Sequence, residues 1–176
     1  DYASLKDFAA VGLLFRSGDD YIWKTHSFAR KEFLDKYKLK PPIHEWEKKG
    51  LLTIVDEPTI NPKHIIDWFI EAQKNYGLQK VVADNFRMDL LRPLFEDAGI
   101  EYEVIKNTRA IQSLLAPRVE DMFAQHHLIF GDNPLMRWYT QNVAVKIRKD
   151  GNKEYEKKEP IRRKTDGFQA FIHALY

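Results

Sequence analysis

The sequence predicts a mixed α/β domain, in which a sheet of antiparallel and parallel strands has helices on both faces. Two β-rich runs near the start of the chain are separated by the turn Ser17-Gly18-Asp19-Asp20, which is typical of an antiparallel hairpin. Further along, short apolar strands alternate with amphipathic helices, which favours parallel pairing with right-handed crossovers. The length of 176 residues fits one core, so we expect 1–176 to be a single domain.

The first half of the chain contains the hairpin and one long helix. Its predicted elements are the end of a first strand at 1–3, hairpin strands at 8–15 and 21–29, two short helices within 31–49, a strand at 51–55 and a helix at 62–76. Asn61 is the expected N-cap of that helix, and Gly77 follows its end. These residue types commonly begin and end helices.

The second half predicts two strand–helix units, a short helix and a C-terminal β-hairpin. Its elements are a strand at 78–83 that ends on Asp84, a helix at 87–98, a strand at 101–105, helices at 109–126 and 134–141, hairpin strands at 143–148 and 153–158, and a final helix from 165 or 166. Asp150-Gly151 is the hairpin turn signal. In helix 109–126 we expect six apolar residues to face inward: Ile111, Leu114, Leu115, Val119, Met122 and Phe123.

This order of elements, three antiparallel strands followed by two strands parallel to the first, is that of a ribonuclease H-like domain. Composition excludes other classes. No run approaches the roughly 20 apolar residues of a membrane span, and the chain has no cysteine for disulfides or thiolate metal sites. The net charge of only +2 does not by itself indicate a nucleic-acid ligand.

Three aspartates stand at the ends of predicted elements. Asp1 lies on the first strand, Asp84 closes the strand at 78–83, and Asp166 opens the final helix. Because sites in open α/β sheets form beyond the carboxyl ends of the strands, we expect the three carboxylates to meet at one edge. Each also has a structural interpretation, since Asp84 is typical of a turn and Asp166 of a helix start.

Carboxylates that gather without compensating Lys or Arg repel one another, which favours cations between them. Hard oxygen ligands suit Mg²⁺ or Mn²⁺. Two such ions about 3.5–4 Å apart activate a water and stabilise the leaving oxygen in phosphodiester hydrolysis. The pattern therefore predicts two divalent cations held by Asp1, Asp84 and Asp166.

Three stretches of the chain have a distinctive order of residues. They are Asp1-Tyr2-Ala3-Ser4 followed by Lys6-Asp7-Phe8-Ala9-Ala10, then Val81-Val82-Ala83-Asp84, and last Gly131-Asp132-Asn133-Pro134-Leu135-Met136-Arg137-Trp138 through Asn142-Val143 to Lys164-Thr165-Asp166-Gly167. In order and spacing they resemble the nuclease domain of the large terminase subunits of tailed bacteriophages, over essentially the whole chain.

The resemblance implies a metal-dependent endonuclease that cuts concatemeric double-stranded viral DNA during genome packaging in the host cytoplasm. It assigns the metals to Asp1, Asp84 and Asp166, with Asp7 as a further candidate or a cap of the next turn. It implies a capsid portal and a small terminase subunit as partners. The family's ATPase domain should precede this domain, yet no G-x-x-x-x-G-K-[S/T] loop occurs here. We therefore expect 1–176 to be a fragment of a larger protein, and the ATPase domain to be absent from this fragment.

Basic residues are concentrated between residues 137 and 164, where ten Lys/Arg face four Asp/Glu. This excess indicates either a solvated charged hairpin or an arm that contacts phosphates, formed by Lys146, Arg148, Lys149 and Lys153. Two alternative functions remain open: another ribonuclease H-like phosphotransferase, such as a transposase or junction resolvase, and a non-catalytic module that holds DNA or docks to the portal.

Overall fold

The computed structural model describes all residues from 1 to 176. Its elements in chain order are β1 (Ala9–Ser17), β2 (Asp20–Arg30), α1 (Lys31–Lys36), α2 (Ile43–Lys48), β3 (Leu52–Val55), α3 (Pro62–Tyr76), β4 (Val81–Asp84), α4 (Met88–Asp97), β5 (Tyr102–Ile105), α5 (Thr108–Ala124), β6 (Leu128–Ile129), α6 (Pro134–Gln141), β7 (Val143–Ile147), β8 (Lys153–Lys157) and α7 (Asp166–Leu175). No helix is both long and apolar enough to span a bilayer.

The strands form three hydrogen-bonded groups. In the first, β1 pairs antiparallel with β2, while β3 and the short β6 both pair parallel with β2. In the second, β4 and β5 are parallel, as the strand–helix–strand order predicted. The third is the antiparallel hairpin of β7 and β8, whose turn contains Gly151 at a φ of 85°. The expected mixed α/β architecture is confirmed.

Asp1 extends the antiparallel part of the sheet beyond β1. Its nitrogen donates to the carbonyl of Ala10 at 2.9 Å, and the Ala10 N–H donates to the carbonyl of Asp1 at 2.8 Å. Two residues that exchange both bonds are a hydrogen-bonded antiparallel pair. Asp1, β1 and β2 therefore follow the predicted order of three antiparallel strands.

The sheet separates two hydrophobic clusters, because alternate side chains of a strand point to opposite faces. Ala10 of β1 belongs to the larger cluster, which packs under α5, α6 and α7. Its neighbours Ala9 and Val11 belong to the smaller cluster under α3 and α4. Helices thus cover both faces of the sheet.

The ends of α3 lie where the sequence predicted them, but the buried face of α5 differs from the predicted one. The Asn61 side chain accepts a hydrogen bond from the N–H of Lys63, and Gly77 has a left-handed φ of 64° after α3. In α5, however, Leu114 is 67% exposed rather than inward. The helix instead buries the stripe that includes Leu115 and Val119, which turns Leu114 to solvent.

Candidate functional site

Asp166 begins α7 and is buried against the start of β1. Only 3% of the residue is exposed, and its Oδ2 accepts a hydrogen bond of 3.3 Å from the N–H of Phe8. Gly167 allows this placement, because a Cβ there would lie 2.4 Å from the ring of Tyr139. The Asp-Gly pair therefore has a packing reason, namely that the helix approaches Tyr139 too closely for any side chain.

The environment of Asp166 disfavours its charge. Burial, and then the negative charge of Asp7, raise the pKa of Asp166 to about 7, although Lys157 and Lys164 act in the opposite direction. An ionised carboxylate in such a place needs a compensating cation to remain charged at neutral pH. This is the property expected of a carboxylate that binds metal.

Asp84 closes β4 and is partly exposed. Its Oδ1 accepts a hydrogen bond of 3.1 Å from the N–H of Phe86, which is the turn that its sequence position also indicated. This bond uses one carboxylate oxygen and leaves the other oxygen for a ligand. The structural and functional interpretations of Asp84 are therefore compatible.

The three predicted aspartates lie at one end of the sheet. Asp1 pairs with Ala10 while Asp166 bonds to Phe8 two residues earlier, and the α-amino group of Asp1 experiences the charges of both Asp84 and Asp166. In this arrangement no three carboxylate or imidazole groups are close enough to hold one ion. The donor set fits a divalent cation in kind, and binding requires the side chains to move together.

Asp7 lies beside this cluster and is held by two lysines that sequence reasoning missed. Its Oδ1 accepts from Lys157 Nζ at 2.5 Å and from Lys164 Nζ at 3.0 Å. Burial would raise the pKa of Asp7, but these hydrogen bonds and charges outweigh it and keep the pKa below its usual value. Asp7 is thus an ionised partner of both ammonium groups rather than a turn cap.

Lys164 is the more unusual of the two lysines, because its side chain is only 1% exposed. Its ammonium also donates to the carbonyl of Lys6 at 2.8 Å and lies 4.3 Å from the centre of the Phe33 ring. Burial lowers the pKa of Lys164, and the charge of Asp7 opposes that shift. The one sequence signal for this residue was its position two residues before Asp166.

The stretch from Asn133 to Asn142 supports the site rather than forming it. Asn133 caps α6 by accepting from the N–H of Met136. At the other end, the buried amide of Asn142 donates to the carbonyl of Lys164 at 2.8 Å. These two asparagines fix α6 and tie its end to the segment that carries Lys164 and Asp166.

The basic residues predicted to contact phosphates lie on the hairpin as expected, but three of the four have acidic neighbours. The ion pairs are Lys146 with Glu156, Arg148 with Glu154 and Lys153 with Glu120. Lys149, at the exposed tip, forms no ion pair. The local positive excess is therefore partly neutralised within the protein.

Comparison with known families bears on this arrangement. A model of the family described as "Terminase large subunit, endonuclease domain" matches residues 1–176. The chain belongs to this family. No curated protein matches it significantly.

Solved terminase structures share the fold. The HK97 bacteriophage large terminase superposes with a TM-score of 0.84 at 16% identity, over 97% of this chain and 36% of that chain. The large terminase nuclease of thermophilic phage G20c with bound magnesium gives a TM-score of 0.65 at 11% identity, over 99% of this chain and 76% of that one. A second G20c nuclease structure gives a TM-score of 0.52 at 14% identity, over 99% of this chain and 83% of that one. At these identities the likeness concerns the fold, which is thereby confirmed as ribonuclease H-like. The chain spans about a third of the HK97 protein.

Proposed function

We propose that this terminase nuclease domain is a divalent-metal-dependent endodeoxyribonuclease that cuts concatemeric double-stranded viral DNA during packaging in the host cytoplasm. The observation that carries the proposal is Asp166, a buried carboxyl with a raised pKa at the same end of the sheet as Asp1 and Asp84. A structural aspartate at a helix start is more favourably left exposed, where its charge is solvated. We further propose that residues 1–176 form one domain of a larger protein with a separate ATPase.

In this proposal Asp1, Asp84 and Asp166 would hold two divalent cations, Mg²⁺ or Mn²⁺. When bound, such ions supply a nucleophilic water and stabilise the departing 3′ oxygen. The magnesium in the G20c nuclease belongs to that protein and supports the choice of ion here. Asp7 stays with Lys157 and Lys164 and sets the charge next to Asp166.

The hairpin supplies the proposed DNA contacts. Lys149 is free to contact a phosphate directly, whereas Lys146, Arg148 and Lys153 must exchange a carboxylate partner for a phosphate. Phosphate contacts give affinity without sequence information, so binding is expected to be independent of sequence. A capsid portal and a small terminase subunit are the proposed protein partners.

The test is nicking of supercoiled plasmid in the presence of Mg²⁺ or Mn²⁺. We expect Asp84→Asn to reduce nicking to background with an unchanged unfolding transition, because Asp84 is partly exposed and its turn bond can be kept by an amide oxygen. Asp97→Asn is the matched control, since Asp97 is an exposed carboxylate at the end of α4. Cleavage by folded Asp84→Asn at the wild-type rate would refute the assignment, and a wild type that binds DNA without cutting it would favour a non-catalytic module.

A further inference from the structure

A group of exposed cations lies on two segments outside the hairpin. One segment is α1 with the four residues after it, 37–40, and the other is the loop 159–163 between β8 and α7. In the first segment Tyr37 and Leu39 are partly buried against the core, whereas the lysines that alternate with them face solvent. The exposed cations of the two segments are Lys36, Lys38, Lys40, Arg162 and Arg163.

The two segments meet at the ring of Tyr37. The ammonium of Lys36 lies 5.4 Å from the centre of this ring, and the guanidinium of Arg162 lies 5.7 Å from it. A cation near an aromatic face is attracted by the negative charge of that face. Tyr37 therefore holds two cations from different segments close together, although their charges repel each other.

None of the five cations forms an ion pair, because the three carboxylates of the two segments are engaged elsewhere. The two in α1 have other cations as partners. These ion pairs are Glu32 with Arg30 and Asp35 with Lys31. The third carboxylate, that of Glu159, accepts hydrogen bonds from the backbone N–H groups of Ile161 and Arg162. On the hairpin, by contrast, three of the four cations already have a carboxylate partner. The charge of the two segments is therefore left for an anion from outside.

Direct contacts join the Tyr37 ring to the candidate site. Its centre lies 5.0 Å from that of the Phe33 ring, and the Phe33 ring lies 4.3 Å from the ammonium of Lys164. Lys164 in turn donates to Asp7 and stands two residues before Asp166. Each strand of duplex DNA carries one phosphate per about 3.4 Å of helix axis. The cations at Tyr37 are therefore placed to contact phosphates a few nucleotides from a bond that is cut at the site.

We infer that these five cations form a second phosphate-binding surface for duplex DNA, which we call the Tyr37 surface. The inference rests on the proposed nuclease function for the identity of the ligand. An acidic protein is the other anion of suitable charge, but a surface next to the proposed metal ligands lies where the DNA has to pass. Lys36 and Arg162 are the central contacts, because Tyr37 already orders their side chains and binding then costs less conformational entropy.

A matched pair of double variants tests this surface. Lys36→Gln/Arg162→Gln removes the two cations held by Tyr37. The control, Lys24→Gln/Arg92→Gln, removes a lysine and an arginine that are also exposed, form no ion pair and lie over tyrosine rings, at 5.1 and 5.6 Å. The control cations lie on the face of the sheet covered by α3 and α4, whereas Tyr37 packs on the face covered by α7. Both variants thus lose the same charge and the same kind of contact, on different faces.

Binding of two unrelated duplexes is measured by fluorescence anisotropy without divalent cations, at several salt concentrations. Affinity varies with salt to about the power −0.9 for each phosphate contact, so one contact contributes roughly eightfold at about 0.1 M salt relative to 1 M. We expect Lys36→Gln/Arg162→Gln to weaken binding to both duplexes by at least about eightfold at this salt concentration. The slope of log affinity against log salt should become shallower by at least about 0.9, the share of one contact. The control should match the wild type in both quantities.

Acetylation of the wild-type protein locates the contact without any substitution. When duplex DNA is saturating, we expect Lys36, Lys38 and Lys40 to react less with acetic anhydride, measured by mass spectrometry, and Lys24 to react as before. Equal affinities and slopes for the two double variants, or undiminished reactivity of the three lysines, would overturn the inference and leave the surface to an acidic protein. Both measurements report binding, so normal binding without nicking would count against the proposed function and not against this surface.

Discussion

Two regions of this terminase nuclease domain carry dense charge, and they differ in burial. At the start of α7, Lys164 and Asp166 are both buried and bonded to the backbone of the segment before β1. On the hairpin, Lys146 and Lys149 are exposed; Lys146 pairs with Glu156 of β8, which is exposed as well, and Lys149 forms no ion pair. The difference shows that burial, more than the number of charges, decides what each charge contributes.

The physical reason is the surrounding dielectric. Exposed ion pairs contribute about 0–1 kcal/mol, because water solvates both partners whether or not they meet. Removing one partner of a buried pair costs about 3–5 kcal/mol, because the other charge stays without solvation. We therefore expect substitutions at the start of α7 to change stability, pH dependence and cleavage, and substitutions of the exposed hairpin lysines to change only DNA binding.

The largest expected effect is that of Asp166→Asn, which should reduce cleavage to background while making the fold more stable at pH 8. Since the pKa of Asp166 is raised to about 7, the folded protein favours the neutral carboxyl. One pKa unit corresponds to about 1.4 kcal/mol, so the neutral amide should raise the free energy of unfolding by on the order of 2 kcal/mol after relaxation.

The pH dependence of the wild type follows with a definite sign. Between the ordinary carboxyl pKa near 4 and the folded value of about 7, the folded state binds the proton that the unfolded state releases. The Asp166 contribution to stability is therefore present at low pH and lost as pH rises through this window. Urea unfolding from pH 4 to 8 should show this downward slope in the wild type and not in Asp166→Asn. Parallel profiles for the two proteins would contradict the buried, raised-pKa carboxyl.

Lys164→Met should have the next largest effect. It removes the Lys164 bonds to Asp7 and to the Lys6 carbonyl and leaves Asp7, which is partly exposed, with Lys157 as its remaining cation, so we expect a loss on the order of 2 kcal/mol in the free energy of unfolding. Lys158→Met is the control, because Lys158 is exposed and in no ion pair; it should stay within about 0.5 kcal/mol of the wild type. Equal urea midpoints for both variants would show that the buried pair contributes nothing.

These two regions were also unequally predictable from sequence. The helices and strands could be predicted because their sequence signals are local. Asn61 and Gly77 mark the two ends of α3, and Asp150-Gly151 marks the turn of the hairpin. The three aspartates could be singled out from the sequence because they stand at the ends of predicted strands and helices. The Lys157 and Lys164 contacts to Asp7 were not, because they join residues 150 and 157 positions apart. Only the assembled sheet brings these residues together.

The wrong prediction for Leu114 and the missed strand β6 also arise from contacts between distant parts of the chain. Leu114 fits the helical apolar pattern of α5, but the hairpin and α7 pack against a different stripe of that helix, including Gln112, which bonds to Gln169 and to the N–H of Tyr155. A polar residue was thus buried in place of a leucine. The two-residue strand β6 was missed because its pairing with β2 leaves no periodic signal in so short a segment.

The smallest effect on stability, and the sharpest test of the comparison, is expected on the hairpin. Replacing the exposed Lys146 and Lys149 with glutamine should keep the free energy of unfolding within about 0.5 kcal/mol for each site. It should weaken binding to all DNA sequences alike. The slope of log affinity against log salt should become shallower by up to about 0.9 for each phosphate contact that is lost.

The individual substitutions resolve which hairpin cations contact DNA. Lys149→Gln should lower the salt slope more than Lys146→Gln, because Lys149 has no internal partner while Lys146 already pairs with Glu156 at 3.5 Å. Titrations of two unrelated duplexes at several salt concentrations, monitored by fluorescence anisotropy, measure both quantities. A loss of affinity for one duplex alone would indicate direct base contacts. An unchanged slope in all variants would exclude the hairpin as the phosphate-binding surface and direct attention to the exposed cations Arg162 and Arg163 between β8 and α7.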